Sequence, residues 1–189
     1  YNFEALRLQL QQRGHVFRST GDTEVVLAAY QEWGPQCVEY FNGMFALALL
    51  DQGSDGVPPS LFLARDRAGE KPLYYMHSQG QLVFASELKA LPHGGAIDLR
   101  ALNHYLALGY VGAEQCLFEG VHKLPSAHCA KFMLQTGELR LWRYWSLPAT
   151  TANAAANGQA LAEEAGSLIE DSVRLRMVAD VPVGVLLSG

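Results

Sequence analysis

Seven consecutive apolar residues, Met44-Phe45-Ala46-Leu47-Ala48-Leu49-Leu50, constrain the fold more than any other stretch of this chain. Read as a strand, the run puts Phe45, Leu47 and Leu49 on one face and Ala46, Ala48 and Leu50 on the other. Neither face suits water, so the strand is expected to be buried on both sides. The run is also the longest of its kind and falls far short of the roughly 20 residues of a membrane span.

Shorter apolar runs follow at Leu61 to Ala64, Leu73 to Met76 and Leu82 to Ala85. They are separated by Asp66-Arg67-Ala68-Gly69 and Ser78-Gln79-Gly80, both good turn chemistry, which predicts an antiparallel meander. Ala130 to Leu134 and Leu139 to Trp145 flank Gln135-Thr136-Gly137-Glu138 and read as a further hairpin. Helical spacing appears in three places before residue 150. Phe3, Leu6 and Leu10 predict a short helix stopped near Gly14; a second begins after Gly21-Asp22 and runs to Gly34; Leu99, Leu102 and Leu106 predict a third ending near Gly109.

The chain has 189 residues, 49% of them hydrophobic, enough to bury a core in one or two domains. Its formal net charge is −5 with Lys and Arg scattered, which argues against nucleic acid or an anionic membrane as partner and for small-molecule substrates. No charged-then-apolar leader opens it, and a cytoplasmic location is the expectation. Cys37, Cys116 and Cys129 are odd in number and widely spaced, so they read as buried free thiols rather than disulfides or a zinc site. No His pair has metal-ligand spacing with a carboxylate, and a metal held by this segment is not expected.

After Pro148 the composition turns to Ala, Thr, Asn and Gly, which places a linker at 148–158 between a first domain (1–147) and the start of a second (159–189). Leu161, Ala165, Leu168, Ile169 and Ser172 then follow helical spacing to about Val178. Pro182 separates this helix from Val183-Gly184-Val185-Leu186-Leu187, which reads as a central strand of a parallel sheet turning on Ser188-Gly189. Such a turn is where a nucleotide domain places a phosphate loop, although Ser-Gly alone is a common turn. The chain opens at Tyr1 without a methionine, and more sequence is expected beyond both ends.

Taken singly, the chemical motifs are modest: Asp22 reads as a helix cap. In combination they are specific. Tyr1-Asn2, Gly21-Asp22-Thr23-Glu24, Asn42-Gly43-Met44-Phe45-Ala46, Ala64-Arg65-Asp66-Arg67-Ala68-Gly69, Lys71-Pro72-Leu73-Tyr74-Tyr75 and Ala85-Ser86-Glu87 resemble, in order and spacing, the glutaminase domain of glutamine-hydrolysing asparagine synthetases. The resemblance continues through Leu117-Phe118-Glu119-Gly120-Val121, Lys123-Leu124-Pro125, Tyr144-Trp145 and Asp180 to Gly189, and covers nearly everything except the linker.

The resemblance implies an α+β N-terminal-nucleophile (αββα) glutaminase sandwich, truncated at its start. The beginning of an α/β parallel-sheet ATP pyrophosphatase domain would follow it. It implies ATP-dependent amide transfer from glutamine to aspartate, giving asparagine, glutamate, AMP and pyrophosphate, with ATP and Mg2+ held mainly by sequence beyond residue 189. In the family an amino-terminal cysteine, activated by its own α-amine, attacks the glutamine amide. No residue of this chain can be that nucleophile, so the fragment alone is expected to be inactive. Asp22 is then expected to hold the α-amino group of glutamine. Asn2 belongs to the glutamine site through its match to the Asn-Gly-Glu-Ile-Tyr-Asn segment. Leu186, Leu187, Ser188 and Gly189 match the strand and first residues of the pyrophosphate loop. Family members are often dimers, so a homodimer is an expectation carried by resemblance alone.

Arg65 and Asp66 are read as structural, shaping the strand end and turn before Lys71-Pro72-Leu73, and Glu87 and Lys89 likewise. Tyr74 and Tyr75 are read as sheet residues. Ser126-Ala127-His128 departs from the family's Pro-Gly-His, and Ala113-Glu114-Gln115-Cys116 from a proline-richer stretch. Two readings compete with asparagine formation: the same architecture amidating another carboxylate on a sugar, peptide or metabolite, and a binding protein that kept the fold without its nucleophile. A front domain feeding a sugar-phosphate isomerase or phosphoribosyl transferase is argued against by Asp180 to Gly189.

Overall fold

The computed structural model describes residues 1–54, 56–92, 94–112, 114–149, 157–179 and 181–186. Two helices open it, α1 (Phe3–Gln12) and α2 (Asp22–Trp33), joined by a 3-10 turn at Gly34–Glu39 to the strands. These are β1 (Ala46–Asp51), β2 (Ser60–Arg65), β3 (Tyr74–Ser78) and β4 (Gln81–Ala85), then after α3 (Leu99–Leu108) come β5 (His122–Lys123), β6 (His128–Met133) and β7 (Leu139–Arg143). A last helix, α4 (Gly158–Arg176), follows. No helix among the described residues is long and apolar enough to cross a membrane.

All strand neighbours run antiparallel, in a four-stranded sheet of order β1-β2-β6-β7 and a three-stranded sheet of order β4-β3-β5. Alternation along β2 builds the layers. Phe62 and Ala64 point to the helices, into a core with Leu10, Val25, Ala29, Val38 and Cys129. Leu63 points the other way and meets Ala130, Leu73 and Leu124 between the two sheets. On the outer side of the second sheet Leu91, Cys116 and Val121 pack against Tyr74 and Met76. The result is a helix layer, two facing sheets and a thinner outer layer in which α3 buries only Ala101.

Three expectations change. The run from Met44 to Leu50 becomes an edge strand: Leu49 is buried against the helices, but Leu50 is 57% exposed, because the second sheet reaches only the Ala46 end of β1. The meander is divided, since β2 pairs with β1 and β6 while β3 pairs with β4 and β5. The turn chemistry at Asp66 to Gly69 reverses the chain, but carries it across to the other sheet rather than back beside its neighbour. Third, Val183 to Leu186 forms no strand, and the described residues offer no parallel neighbour to complete its hydrogen bonding. Asp180, Leu187, Ser188 and Gly189, Ala113 and linker residues 150–156 lie outside the described residues.

The hairpin read between Ala130 and Trp145 forms, with Phe132 opposite Leu139. Its turn abuts the β3–β4 turn so closely that a Cβ on Gly137, at φ +71°, would lie 2.6 Å from the Gly80 Cα. His77 Nε2 seals the same contact at 2.9 Å from the Gly137 carbonyl.

Candidate functional site

A cleft of about 420 Å³ opens between the starts of α1 and α2 and the segment leading into β1. Tyr1, Asn2, Asp22, Asn42 and Gly43 bring its polar groups, and Leu6, Val25 and Phe41 lie among its apolar walls. That volume lies in the range of about 300–1,000 Å³ typical of small-molecule sites.

The loop before Asp22 is held from both sides. From α1, Arg7 donates to the Ser19 carbonyl and, at 2.7 Å, to that of Gly21, while its guanidinium lies 4.8 Å from the centre of the Phe17 ring. From α2, Glu24 accepts from the amides of Arg18 and Ser19 and from the Ser19 hydroxyl. Three donors converge on one carboxylate and favour its charged form, so its pKa falls; the Arg18 amide is the largest cause.

Asp22 does not cap the helix. Gly21 is the cap residue, no side chain accepts there, and the hydrogen bond recorded for the Asp22 carboxylate comes from its neighbour Thr23, at 3.4 Å. The cap predicted from position alone therefore fails: Asp22 is the first helical residue, and Glu24, three positions beyond Gly21, binds the preceding loop at Arg18 and Ser19 rather than a first-turn amide. Asp22 is left as an exposed anion at a helix start, where the partial positive charge of the helix favours it. Its carboxylate lines the same cleft as Tyr1, Asn2 and Asn42. A carboxylate on that lining is a partner for a cationic group.

Asn2 is committed to the wall of the site. Its amide donates to the Tyr40 carbonyl at 2.9 Å and accepts from the Asn42 amide at 3.0 Å, while the Tyr1 nitrogen donates to the Asn42 carbonyl at 2.8 Å. Gly43 closes in so tightly that a Cβ there would stand 3.0 Å from the Tyr1 nitrogen. Asn42 and Gly43 were legible as a motif but not as site residues, since only the fold brings them to Tyr1 across some forty positions.

Arg65 and Asp66 are structural in their contacts. Asp66 is 1% exposed and accepts from the amides of Phe45, Glu70 and Lys71, which offsets the cost of a buried carboxylate. Arg65 donates to the carbonyls of Lys71 at 2.8 Å, Leu124 at 2.7 Å and Gly69. Glu87 and Lys89 pair on the surface. Tyr74 and Tyr75 line opposite faces of β3. The cysteines are free and buried, and burial pushes the Cys37 and Cys129 thiols up to about 12, so both stay protonated and unreactive at neutral pH.

At the other end only Leu186 of the expected nucleotide residues is described, and it is fully exposed.

Comparison with known proteins bears on both ends. Residues 1–145 match a family described as a glutamine amidotransferase domain, and residues 164–189 match one described as asparagine synthase. The whole chain is 36% identical to asparagine synthetase [glutamine-hydrolyzing] 3 of Bacillus subtilis, covering 30% of that protein. It is 39% identical to a putative asparagine synthetase [glutamine-hydrolyzing] of Mycobacterium tuberculosis (30% of it covered) and 33% to asparagine synthetase B of Escherichia coli K12 (28% covered). The chain thus spans about a third of the length of the curated relatives it matches. Among solved structures, the glutamine phosphoribosylpyrophosphate amidotransferase of B. subtilis complexed with ADP and GMP superposes with a TM-score of 0.51. It is 16% identical, over 78% of this chain and 27% of that one. An allosteric regulatory enzyme of purine biosynthesis superposes at 0.50 with 17% identity and the same coverage. At such identities the likeness is one of fold, the α+β N-terminal-nucleophile sandwich.

Proposed function

The chain belongs to the glutamine amidotransferase domain family, and from that premise we propose that its cleft binds glutamine, with Asp22 holding the substrate's α-ammonium group. The observation that carries this is the Asp22 carboxylate: it lines the cleft and is unused as a cap. A charge-assisted contact from a helix start is a rigid anchor for an ammonium ion. Asn2 contributes by positioning, since its amide is spent on holding the Tyr40–Asn42 segment against Tyr1.

In the whole protein the nitrogen released here passes to aspartate, giving asparagine and glutamate while ATP is cleaved to AMP and pyrophosphate. Support comes from the asparagine synthase match at 164–189 and from relatives named for that reaction. The same match separates this reading from a phosphoribosyl transferase, whose front domain shares the fold. Residues 1–147 then form the glutaminase part, 148–158 the linker and 159–189 the start of the synthetase part, where Leu186 to Gly189 meet ATP with its magnesium. We place the enzyme in the cytoplasm, as a homodimer, on the family resemblance.

The test is pyrophosphate and glutamate formation by the full-length protein given glutamine and ATP. Release of both that requires aspartate supports the reading. Release indifferent to aspartate moves the acceptor to another carboxylate, and no glutamate at all overturns the assignment of the cleft.

A further inference from the structure

In the segment that matches asparagine synthase, a described side chain reaches Tyr1 at the edge of the cleft. Arg176, in the last turn of α4, places its guanidinium 5.4 Å from the centre of the Tyr1 ring. The guanidinium is braced on its own helix by the Ser172 hydroxyl at 2.6 Å and the Ser172 carbonyl at 3.3 Å. None of the described residues of α4 is buried, so the contact is not the by-product of a packed helix interface. On the other side, the Tyr1 hydroxyl is buried and has no hydrogen-bond partner among the described residues, so no polar contact from them holds that end of the ring. Arg176 and Tyr1 also share a small cavity of about 130 Å³ with Asn42, Gly43, Arg67 and Glu70.

Tyr1 is the wall of the glutamine cleft that Asn42 and Gly43 lean on. Whatever holds its ring holds that wall. We propose that Arg176 is a positioning residue: through a cation–π contact with Tyr1 it lets the synthetase segment set the geometry of the glutamine cleft. Displacement of α4 then loosens glutamine binding without any change to Asp22. The proposal rests on the assignment of the cleft to glutamine.

The experiment uses the full-length protein with Arg176→Ala, Arg176→Lys, Tyr1→Leu and the Arg176→Ala/Tyr1→Leu pair. An exposed contact of this kind corresponds to a factor of about two to five. Arg176→Ala is expected to raise the KM for glutamine about two- to fivefold with kcat held. The ratio of glutamine-supported to ammonia-supported pyrophosphate release at low glutamine should fall to match. Tyr1→Leu should do the same, the double variant no more than either, and Arg176→Lys should recover part of the loss. Additive effects in the double variant, or a ratio unchanged by Arg176→Ala, overturn the proposal. A thermal-unfolding cycle on the same four variants reads the contact itself, even in a protein that hydrolyses no glutamine. Failure of the glutamine assignment would therefore be told apart from failure of the contact, and additivity in that cycle also overturns the proposal.

Discussion

Glu24 reaches back across the turn to Ser19 and takes both its amide and its hydroxyl, each at 2.7 Å. The carboxylate that secures the entry to α2 is therefore distinct from the one that faces the cleft, two residues earlier. On the proposed reading of the cleft, stability and ligand binding are divided between neighbours, and substitutions should separate them.

Glu24→Gln is expected to lower the melting temperature at neutral pH while leaving the cleft residues unaltered. The sign with pH follows from the lowered pKa of Glu24. Its contribution is fully present above its ordinary value of 4.5 and is lost as pH falls through the lower folded value. Thermal melts of both proteins should accordingly converge as the pH drops below 4.5; a gap that stays constant would show that charge at Glu24 is irrelevant.

Asp22→Asn should behave in the opposite manner. The melting temperature falls only slightly, since a favourable helix-end charge is lost but no cap is, while the KM for glutamine rises about 10- to 100-fold, the loss of one hydrogen bond to a charged group. Steady-state glutamate release by the full-length variant measures it. An unchanged KM would remove Asp22 from the site.

Ala127 holds a left-handed backbone, φ +58°, while its amide donates to the Asp66 carbonyl at 2.9 Å. It stands where the Pro-Gly-His pattern has glycine, and its Cβ carries the strain that glycine avoids. Relief of about 1–2 kcal/mol, less the greater freedom of glycine in the unfolded chain, predicts that Ala127→Gly stabilises by about 0.5–1 kcal/mol. Urea unfolding at fixed pH reads the difference; destabilisation would mean that the packing of the Ala127 methyl outweighs the strain.

Gly137→Ala should cost about 2–4 kcal/mol. The new Cβ would meet Gly80 backbone on one side and sit at a positive φ on the other, so one hairpin tip must lift from its neighbour. Loss of the His77 contact to the Gly137 carbonyl would accompany it, visible as faster amide exchange at both turns.

What the sequence determined by itself was local. Leu6 and Leu10 four apart, the Gly21-Asp22 start of α2, the four residues from Gln135 to Glu138 between two apolar runs and the Leu99 to Leu106 spacing all yield their elements as read. Each depends on contacts within a few residues, where period and turn chemistry act directly. The candidate site was legible as a set of motifs, but its assembly was not. That Tyr1 meets Asn42, that β2 leaves β3 for β6, and that β1 lies at an edge rather than in the middle are decided by pairings dozens of residues apart. Nothing in a single strand's alternation names its partner, because every backbone offers the same amides and carbonyls. The choice falls to whichever apolar faces can be buried together, here Phe62 and Ala64 under the helices and Leu63 between the sheets. Tertiary packing likewise fixes the entry to α2 from outside, through Arg7 of α1 on the Gly21 carbonyl, a contact that no local pattern names.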